Sequence, residues 1–188
     1  MKMALSVAIV TSTLMFFALG FAYAQKLRNI HIQKQVQISG SIDKVFEQVV
    51  MLENFPSWSP FLEADPTQEI EVRGTDGQIG AQYHWVGNKG KDVGYQEIKE
   101  ISSPAFIKME CDIQKPFKAQ PIFEYRFEQV GAEVLVTQDF YLESGAIEAF
   151  FMWLFRARKD MAKMNERGLT LLKKIAEEPN TQSLVTKD

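Results

Sequence analysis

The sequence predicts an α+β domain in which a curved antiparallel sheet of about seven strands lies against a long C-terminal helix, with two short helices after the first strand. Three observations lead to this prediction. Residues 30–38 alternate between apolar and polar, as a half-buried strand does. Further strand-like segments follow between residues 69 and 142, each separated from the next by a short turn. Residues 146–178 then change to a period of 3.6, which is typical of an amphipathic helix.

The first 24 residues predict a targeting or anchoring segment. Residues 3–24 carry no charge, and the middle of this stretch, Leu14–Leu19, is strongly apolar. Ala22-Tyr23-Ala24 matches the small-x-small cleavage site of a secretory signal peptide. The uncharged stretch is also long enough to cross a bilayer once, so a cleaved signal and a retained transmembrane anchor both stay open. We expect a secreted, periplasmic or membrane-anchored protein, with a linker at residues 25–29.

The folded domain is predicted to begin with a strand at Ile30–Ile38, followed by the two short helices. Ser41 is a favourable N-cap for a helix at Ile42–Leu52, whose inner side is apolar. Prolines interrupt Asn54–Phe61, so we expect a single short helical turn there. The aromatic side chains of that turn should pack back on the domain.

Six more strands are predicted after the short helices. Glycine or proline residues mark the turns between them, and such short turns join neighbouring antiparallel strands. The predicted sheet is therefore a meander. Its strands are Glu69–Arg73, Ile79–Gly87, Asp92–Ser102, Phe106–Gln114, Ala119–Val130 and Glu133–Leu142.

The final helix is predicted at Ala146–Glu178 and would run about 48 Å at 1.5 Å per residue. Gly145 precedes it and Pro179 ends it. Residues 150–155 are apolar on more sides than one packed face needs, so we expect part of this segment to be exposed. The polar residues 179–188 predict a disordered tail. The apolar side of the helix contains Ile147, Phe150, Phe151, Leu154, Met161, Gly168, Leu172 and Ile175.

Charge and cysteine content exclude several classes of function. The whole chain has a formal net charge of -3, but its first 29 residues hold three basic residues and no acidic one. The remainder therefore has 18 basic and 24 acidic residues, and an acidic domain is an unlikely partner for nucleic acid. The single cysteine, Cys111, excludes an intrachain disulfide and any metal site built from several cysteines. No cofactor is expected.

Four segments of the chain resemble the START-like, or SRPBCC, superfamily, and most closely its bacterial polyketide cyclase/dehydrase and lipid transport branch. The resemblance spans residues 30–178 and implies a helix-grip fold, in which the sheet wraps around the long helix and leaves a cavity between them. It also implies a small hydrophobic or lipid-like ligand in that cavity. The segments are Ile42-Asp43-Lys44-Val45-Phe46, residues 54–61 (Asn-Phe-Pro-Ser-Trp-Ser-Pro-Phe), residues 80–88 (Gly-Ala-Gln-Tyr-His-Trp-Val-Gly-Asn) and residues 168–177 (Gly-Leu-Thr-Leu-Leu-Lys-Lys-Ile-Ala-Glu).

Strand alternation predicts which side chains line such a cavity. These residues are apolar or aromatic with a few polar groups, the usual composition of a small-molecule site. Aromatic residues that simply fill a core are the alternative. The candidate ligand-binding residues are Tyr83, Trp85, Tyr95, Glu97, Met109, Cys111, Phe123, Tyr125, Gln138, Phe140, Phe150, Leu154, Arg158 and Met161.

Two charged residues are predicted on inward faces. Alternation in the strand 92–102 turns Glu97 inward unless a bulge shifts the register, and Arg158 falls within the apolar stripe of the final helix. An unpaired buried charge is costly. Glu97 and Arg158 are therefore expected either to pair with each other, to extend to solvent, or to bind a polar group of the ligand.

Signals for catalysis are few. His31 and His84 lie in different strands without the carboxylate spacing of a metal site, no serine lies in a nucleophile-elbow motif, and no phosphate-binding glycine loop is present. We therefore predict a domain that binds a hydrophobic ligand, with transport of that ligand left open. The alternative is a cyclase, dehydratase or hydrolase acting on a polyketide-like substrate in the same cavity, with Glu97, Tyr95 or Tyr125 as its acid or base.

Overall fold

The computed structural model describes residues 2–178, except for the side chains of residues 2–5, 7, 8 and 10. The helices and strands follow the predicted order, and the tail predicted at residues 179–188 lies outside the described residues. The helices are α1 (Lys2–Ala24), α2 (Ile42–Val50), α3 (Pro60–Ala64), α4 (Ala146–Leu154) and α5 (Ala157–Glu177). The strands are β1 (Asn29–Ser39), β2 (Glu69–Arg73), β3 (Gln82–Gly87), β4 (Asp92–Ser102), β5 (Phe106–Lys115), β6 (Ile122–Val130) and β7 (Glu133–Glu143).

The seven strands form one antiparallel sheet, in the order β1-β7-β6-β5-β4-β3-β2. Strands β2 to β7 form the predicted meander, and β1 pairs with β7 along its whole length. Alternate side chains of the central strands are buried against α5, and we call this side of the sheet its inner face. The opposite side is the outer face. The predicted α+β architecture is confirmed.

Both short helices begin at a serine N-cap, of which Ser41 was predicted and Ser59 was not. The Ser41 hydroxyl accepts a hydrogen bond from the Lys44 N–H at the start of α2, and the Ser59 hydroxyl accepts one from the Leu62 N–H in α3. A 3₁₀ helix at Leu52–Ser57 joins the two. Trp58 follows it and is almost fully buried, so this connection closes one end of the inner face.

The prediction of one continuous C-terminal helix is wrong. Arg156 has φ 55° and ψ 29°, a left-handed conformation that separates α4 from α5. The break lets the two helices pack on different partners, because α4 lies against α1 while α5 lies along β1. As a result, Ile147, Phe151 and Leu154 do not face the sheet as their spacing predicted, and each is exposed.

Helix α5 also binds the free edge of β1 through its side chains. The Lys173 ammonium donates to the Gln37 carbonyl oxygen at 2.6 Å, and the Glu177 carboxylate accepts from the Ser39 N–H at 2.8 Å. These bonds fix α5 lengthwise against the sheet, so its position along β1 is determined by more than apolar packing.

Helix α1 packs its aromatic side chains on α4. Phe16 contacts Trp153 with ring centroids 5.8 Å apart, and Phe17 and Phe21 both contact Phe150. Searched over the residues described, the chain contains no helix long and apolar enough to span a membrane. The signal peptide or anchor at residues 1–24 stays a prediction.

Candidate functional site

The inner face carries two separate apolar clusters. The main core joins the centre of the sheet to α2 and to Leu169 and Leu172 of α5. The small cluster lies toward the start of α5 and consists of Ile30, Ile32, Phe140 and Leu142, with Met152, Met161 and Ala162 packed against it. Two such clusters on one face leave a boundary between them.

Polar side chains occupy that boundary on the sheet. On β7, Gln138 lies between Val136 of the main core and Phe140 of the small cluster, and its cross-strand neighbour on β6 is Tyr125. The Gln138 amide donates to the Tyr125 hydroxyl at 2.8 Å. Farther along the sheet, the Gln96 amide donates to the sulfur of Met109 at 3.3 Å.

Helix α5 supplies a polar side chain at the same boundary. Asn165 comes one turn after Met161, which packs on the small cluster, and one turn before Leu169, which belongs to the main core. Asn165 is only 6% exposed. Together with Tyr83, the cross-strand neighbour of Gln96, these residues form what we call the polar band: Tyr83, Gln96, Tyr125, Gln138 and Asn165.

Three polar atoms of the band have no hydrogen-bond partner among the residues that the structure describes. They are the Tyr83 hydroxyl oxygen, Oε1 of Gln138 and Nδ2 of Asn165. Exchanging the oxygen and nitrogen of the Gln138 amide does not remove the deficit, because Tyr125 engages only one end of it. Buried polar groups are normally paired, and leaving one unpaired costs about 1–3 kcal/mol.

The titratable groups on and beside the band are neutral at physiological pH. Burial raises the pKa of Tyr83 to about 12 and that of the Cys111 thiol to about 12. Burial also raises the pKa of Tyr125 well above its usual value, despite an opposing hydrogen bond from Gln138. The band therefore offers uncharged hydrogen-bonding groups inside apolar walls.

An open groove of about 1720 Å³ adjoins the small cluster. It lies between the β5–β6 hairpin and the segment that joins α4 to α5. Cys111 borders this groove, and its thiol faces the Gln96 amide oxygen of the polar band at 3.9 Å. Cys111 therefore lies between the groove and the band, and none of the five band residues lines the groove itself. Its apolar wall includes Phe117, Ala119, Leu142, Phe151, Met152, Phe155 and Met161.

A second, shallower pocket of about 820 Å³ lies between β1 and α4. Its floor is apolar and includes Phe16, Met152 and Trp153. Arg156, Arg158 and Lys159 lie on its rim, and their side chains form no ion pair with the described residues. This pocket therefore combines apolar surface with uncompensated positive charge.

The structure brings most of the predicted site residues to one face. Tyr83, Met109, Tyr125 and Phe140 are buried on the inner face, Gln138 lies among them, and Trp85 and Phe123 are partly buried beside them. Tyr95, Glu97, Cys111 and Met161 line the groove. Phe150 and Leu154 lie elsewhere, because α4 turns away toward α1.

The predicted inward orientation of Tyr95 and Glu97 is wrong. Gly94, Gln96 and Ile98 are the inward residues of β4. A bulge between Ile98 and Glu100 inserts one extra residue, so counting alternate positions back from Ile101 leads to the wrong face. Position 94 requires glycine, because a Cβ there would lie 2.6 Å from both the Trp85 ring and the Asp112 carbonyl oxygen.

The predicted pair between Glu97 and Arg158 does not form. On the outer face, Glu97 accepts hydrogen bonds from Lys99 at 2.7 Å and Gln82 at 3.0 Å, and the bond from Lys99 lowers the pKa of this carboxyl. Tyr95 stacks on His84. Arg158 is exposed on the first turn of α5, at the second pocket.

Sequence reasoning missed Gln96 and Asn165, which complete the polar band. Asn165 could have been found, because it falls on the apolar stripe of the C-terminal helix between Met161 and Leu172. Gln96 could not, because its orientation depends on the bulge. The groove residues of the β5–β6 hairpin, such as Phe117, lie in a turn whose path the alternation does not predict.

The outer face contains one buried carboxylate that is fully paired. Asp139 is 1% exposed and accepts from His31 at 2.7 Å, from Gln33 at 3.0 Å and from Arg126. Burial alone would raise the pKa of Asp139, but the bonds from His31 and Gln33 and the charge of Arg126 hold it below its ordinary value. Within the part of the chain described, no group of three or more potential ligands could hold a metal ion.

Comparison with known proteins agrees with this architecture. Residues 29–177 match the family model described as polyketide cyclase / dehydrase and lipid transport. No curated protein matches the chain significantly.

Among solved structures, protein CV1439 from Chromobacterium violaceum has a TM-score of 0.60 at 11% identity, over 79% of this chain and 98% of its own. A protein from Arthrobacter aurescens has a TM-score of 0.58 at 12% identity, over 84% and 92%. Ara h 8.0201 has a TM-score of 0.57 at 12% identity, over 79% and 97%. At such identities the likeness shows the fold, which is the helix-grip fold.

Proposed function

The chain belongs to the polyketide cyclase / dehydrase and lipid transport family, and from that premise we propose that it binds a small hydrophobic molecule in the open groove. The observation that carries the proposal is the open groove of about 1720 Å³ beside the small cluster, because its wall exposes large apolar side chains. A ligand with an apolar body would cover these side chains.

The physical argument depends on what the groove exposes. Phe117 and Phe155 are large apolar side chains that are more than 60% exposed at its wall. Covering apolar surface is favourable by about 25 cal/mol per Å², which favours an apolar molecule bound in this groove.

Binding can be tested with a neutral fluorescent probe. N-phenyl-1-naphthylamine fluoresces strongly in apolar sites, and we expect saturable enhancement with the full-length protein in mild detergent. Native mass spectrometry of protein purified from its own host should show a co-purifying molecule of low mass. Absence of saturable probe binding together with absence of any bound molecule would contradict the proposal.

We further propose that residues 1–24 stay attached and that α1 and α4 together contact a lipid surface. Support comes from the rings of α1 that cover Phe150 and Trp153, and from the neighbouring Phe151 and Phe155, which remain exposed. The basic rim of the second pocket lies beside them, and unpaired positive charge favours anionic lipid headgroups.

Two measurements test the lipid contact. The intact mass of host-expressed protein distinguishes a retained segment from a cleaved signal. Co-sedimentation should be stronger with vesicles that contain phosphatidylglycerol than with phosphatidylcholine alone. Changing Arg158 and Lys159 to glutamine should remove this difference, whereas Lys108→Gln on the outer face should not. Loss of residues 1–24, or equal binding to both vesicles, would contradict the proposal.

The alternative is an enzyme in the same groove, which Tyr95 and Glu97 both line. Glu97 is paired with Lys99 at 2.7 Å, and the hydrogen bond from Lys99 lowers the pKa of its carboxyl, which makes it a weaker base. The hydroxyl of Tyr125 has a raised pKa that disfavours its use as a base. No specific observation favours catalysis over binding.

A further inference from the structure

Building on the proposed lipid contact of α1 and α4, we infer that the second pocket binds one lipid molecule whose headgroup is a terminal phosphate. The phosphate lies beside the three basic side chains of the pocket, and the start of an acyl chain lies on its apolar floor. The inference names the partner of this surface, and it distinguishes the binding of one headgroup from general attraction to an anionic membrane.

The basic side chains of the pocket lack partners within the protein. Arg156, Arg158 and Lys159 all line it, at the junction of α4 and α5. None of their side chains forms a hydrogen bond or an ion pair with the described residues. Asp160 follows them directly, but it does not line the pocket, and its carboxylate lies 4.0 Å from the Lys163 ammonium. The pocket therefore has three positive charges that only an outside anion can neutralise.

The two pockets of the protein differ in charge. No acidic residue of the described chain lines the second pocket, whereas six acidic and two basic residues line the groove. An anionic headgroup is therefore attracted to the second pocket and repelled from the groove. The acidic groove residues are Glu97, Glu110, Asp112, Glu124, Glu143 and Glu148, and the basic ones are Lys99 and Lys118.

The backbone of Arg156 supports a role for its side chain outside the chain itself. Its φ of 55° and ψ of 29° are left-handed, a conformation that glycine adopts without strain and arginine does not. No hydrogen bond or ion pair of this side chain to the described residues offsets the strain. A guanidinium that binds a phosphate at the pocket rim would offset it.

A terminal phosphate on a lipid matches both parts of the pocket. It carries a charge of about −1.5 to −2 at pH 7 and three acceptor oxygens, and arginine binds phosphate oxygens in a two-pronged geometry. A phosphate diester carries less charge and has fewer free oxygens. On the floor, Phe16 and Leu154 are each more than 40% exposed, so an acyl chain covers apolar surface that a free phosphate leaves in water.

Native mass spectrometry of the full-length protein in dodecyl maltoside tests the site. Dioleoyl phosphatidic acid, phosphatidylglycerol and phosphatidylcholine are added in equal amounts. We expect one bound phosphatidic acid, favoured over phosphatidylglycerol by about fivefold, the factor for one additional charge contact. Equal binding of these two lipids, or no bound lipid, would overturn the inference. Glycerol 3-phosphate in large excess should not displace the lipid, and displacement would show that the headgroup alone fills the site.

A variant that relieves backbone strain separates binding from stability. Arg156→Gly should weaken phosphatidic acid binding by about fivefold without lowering the free energy of unfolding, whereas a purely structural residue would change both together. Arg158→Gln should weaken binding to a similar degree. Lys163→Gln is the matched control, because it removes the same charge from the same helix but lies outside the pocket. Unchanged binding in both Arg156→Gly and Arg158→Gln would refute the site.

The outcomes distinguish this inference from the functions proposed above. Cys111→Phe fills space in the groove, so phosphatidic acid binding that survives it supports the second pocket, and binding lost with it would place the lipid in the groove and overturn the inference. Co-sedimentation that does not depend on phosphatidylglycerol refutes the lipid contact itself. Co-sedimentation that does depend on it, without a single bound phosphatidic acid, refutes only the inference.

Discussion

A bulky side chain at position 111 should block ligand binding without unfolding the protein. Cys111, Met109 and Ile107 face inward from the same strand, at intervals of two residues. Met109 and Ile107 are fully enclosed by the main core, whereas Cys111 borders the groove. Because the groove is open, a phenylalanine ring at position 111 can extend into it and occupy space that a bound ligand would need.

The expected free-energy changes follow from these surroundings. Adding volume to a close-packed core costs about 1–3 kcal/mol, which is our expectation for Ile107→Phe. At position 111 the ring gains apolar contact with the groove wall, and burying a phenylalanine side chain can contribute about 1.5–3 kcal/mol. The thiol contact with Gln96, at 3.9 Å, is weak. We therefore expect Cys111→Phe to change the free energy of unfolding by less than about 1 kcal/mol.

Urea denaturation gives the free energy of unfolding of the two variants and of the wild type, and probe fluorescence gives their affinity. Cys111→Phe adds more volume than Ile107→Phe, so a smaller cost at position 111 can only come from open space. Cys111→Phe should lose probe binding, while folded Ile107→Phe should keep it. The reasoning is refuted if Cys111→Phe is destabilised as much as Ile107→Phe, or if it still binds the probe.

Three further predictions concern other parts of the chain. Asp139→Asn should lower the free energy of unfolding by about 3 kcal/mol, against less than about 1 kcal/mol for Glu124→Gln, a partly exposed partner of the same arginine. The pKa of Asp139 is lower in the folded state than its ordinary value of 3.8, so its carboxylate stabilises the fold fully above pH 3.8 and loses this effect as pH falls through the folded-state pKa. A difference between the urea midpoints of the wild type and Asp139→Asn that is the same at every pH would contradict this. Changing both Phe151 and Phe155 to serine should weaken vesicle co-sedimentation with little change in the melting temperature, and a large drop in that temperature would show that the rings support the fold. Arg156→Gly should raise the free energy of unfolding by up to about 1 kcal/mol, because glycine adopts the left-handed conformation without strain; a lower melting temperature would count against it.

Much of the fold could be predicted because periodicity in the sequence reports burial directly. The order of strands, the cap at Ser41 and the final amphipathic segment depend on local patterns, and each is found in the structure. The left-handed backbone at Arg156, which divides the segment into α4 and α5, has no such local signal. A segment that is apolar all round is compatible with both one helix and two.

The candidate site was predicted less completely, for reasons of register. Gln138 and Tyr125 lie in strands with regular alternation, so their inward orientation followed from the sequence. Because β4 contains one extra residue, Gln96 lies on the inner face, where alternation had predicted Glu97. This exchange replaced a charged group by an amide, which changes the chemistry of the site more than it changes the fold. Asn165 was visible on the helical wheel, but a single polar residue in an apolar stripe does not indicate a site until the residues that face it from the sheet are known.

The hydrogen bonds between α5 and β1 also protect an edge of the sheet from pairing with another molecule. A seven-stranded sheet that does not close has two edges, and each could accept a strand from a second molecule and begin aggregation. At the β1 edge, Lys173 and Glu177 of α5 already occupy backbone groups. At the β2 edge the strand is five residues long, and charged residues, including the ion pair between Arg73 and Glu71, alternate along it. The same helix that closes the inner face thus protects one edge of the sheet, and short length and charge protect the other.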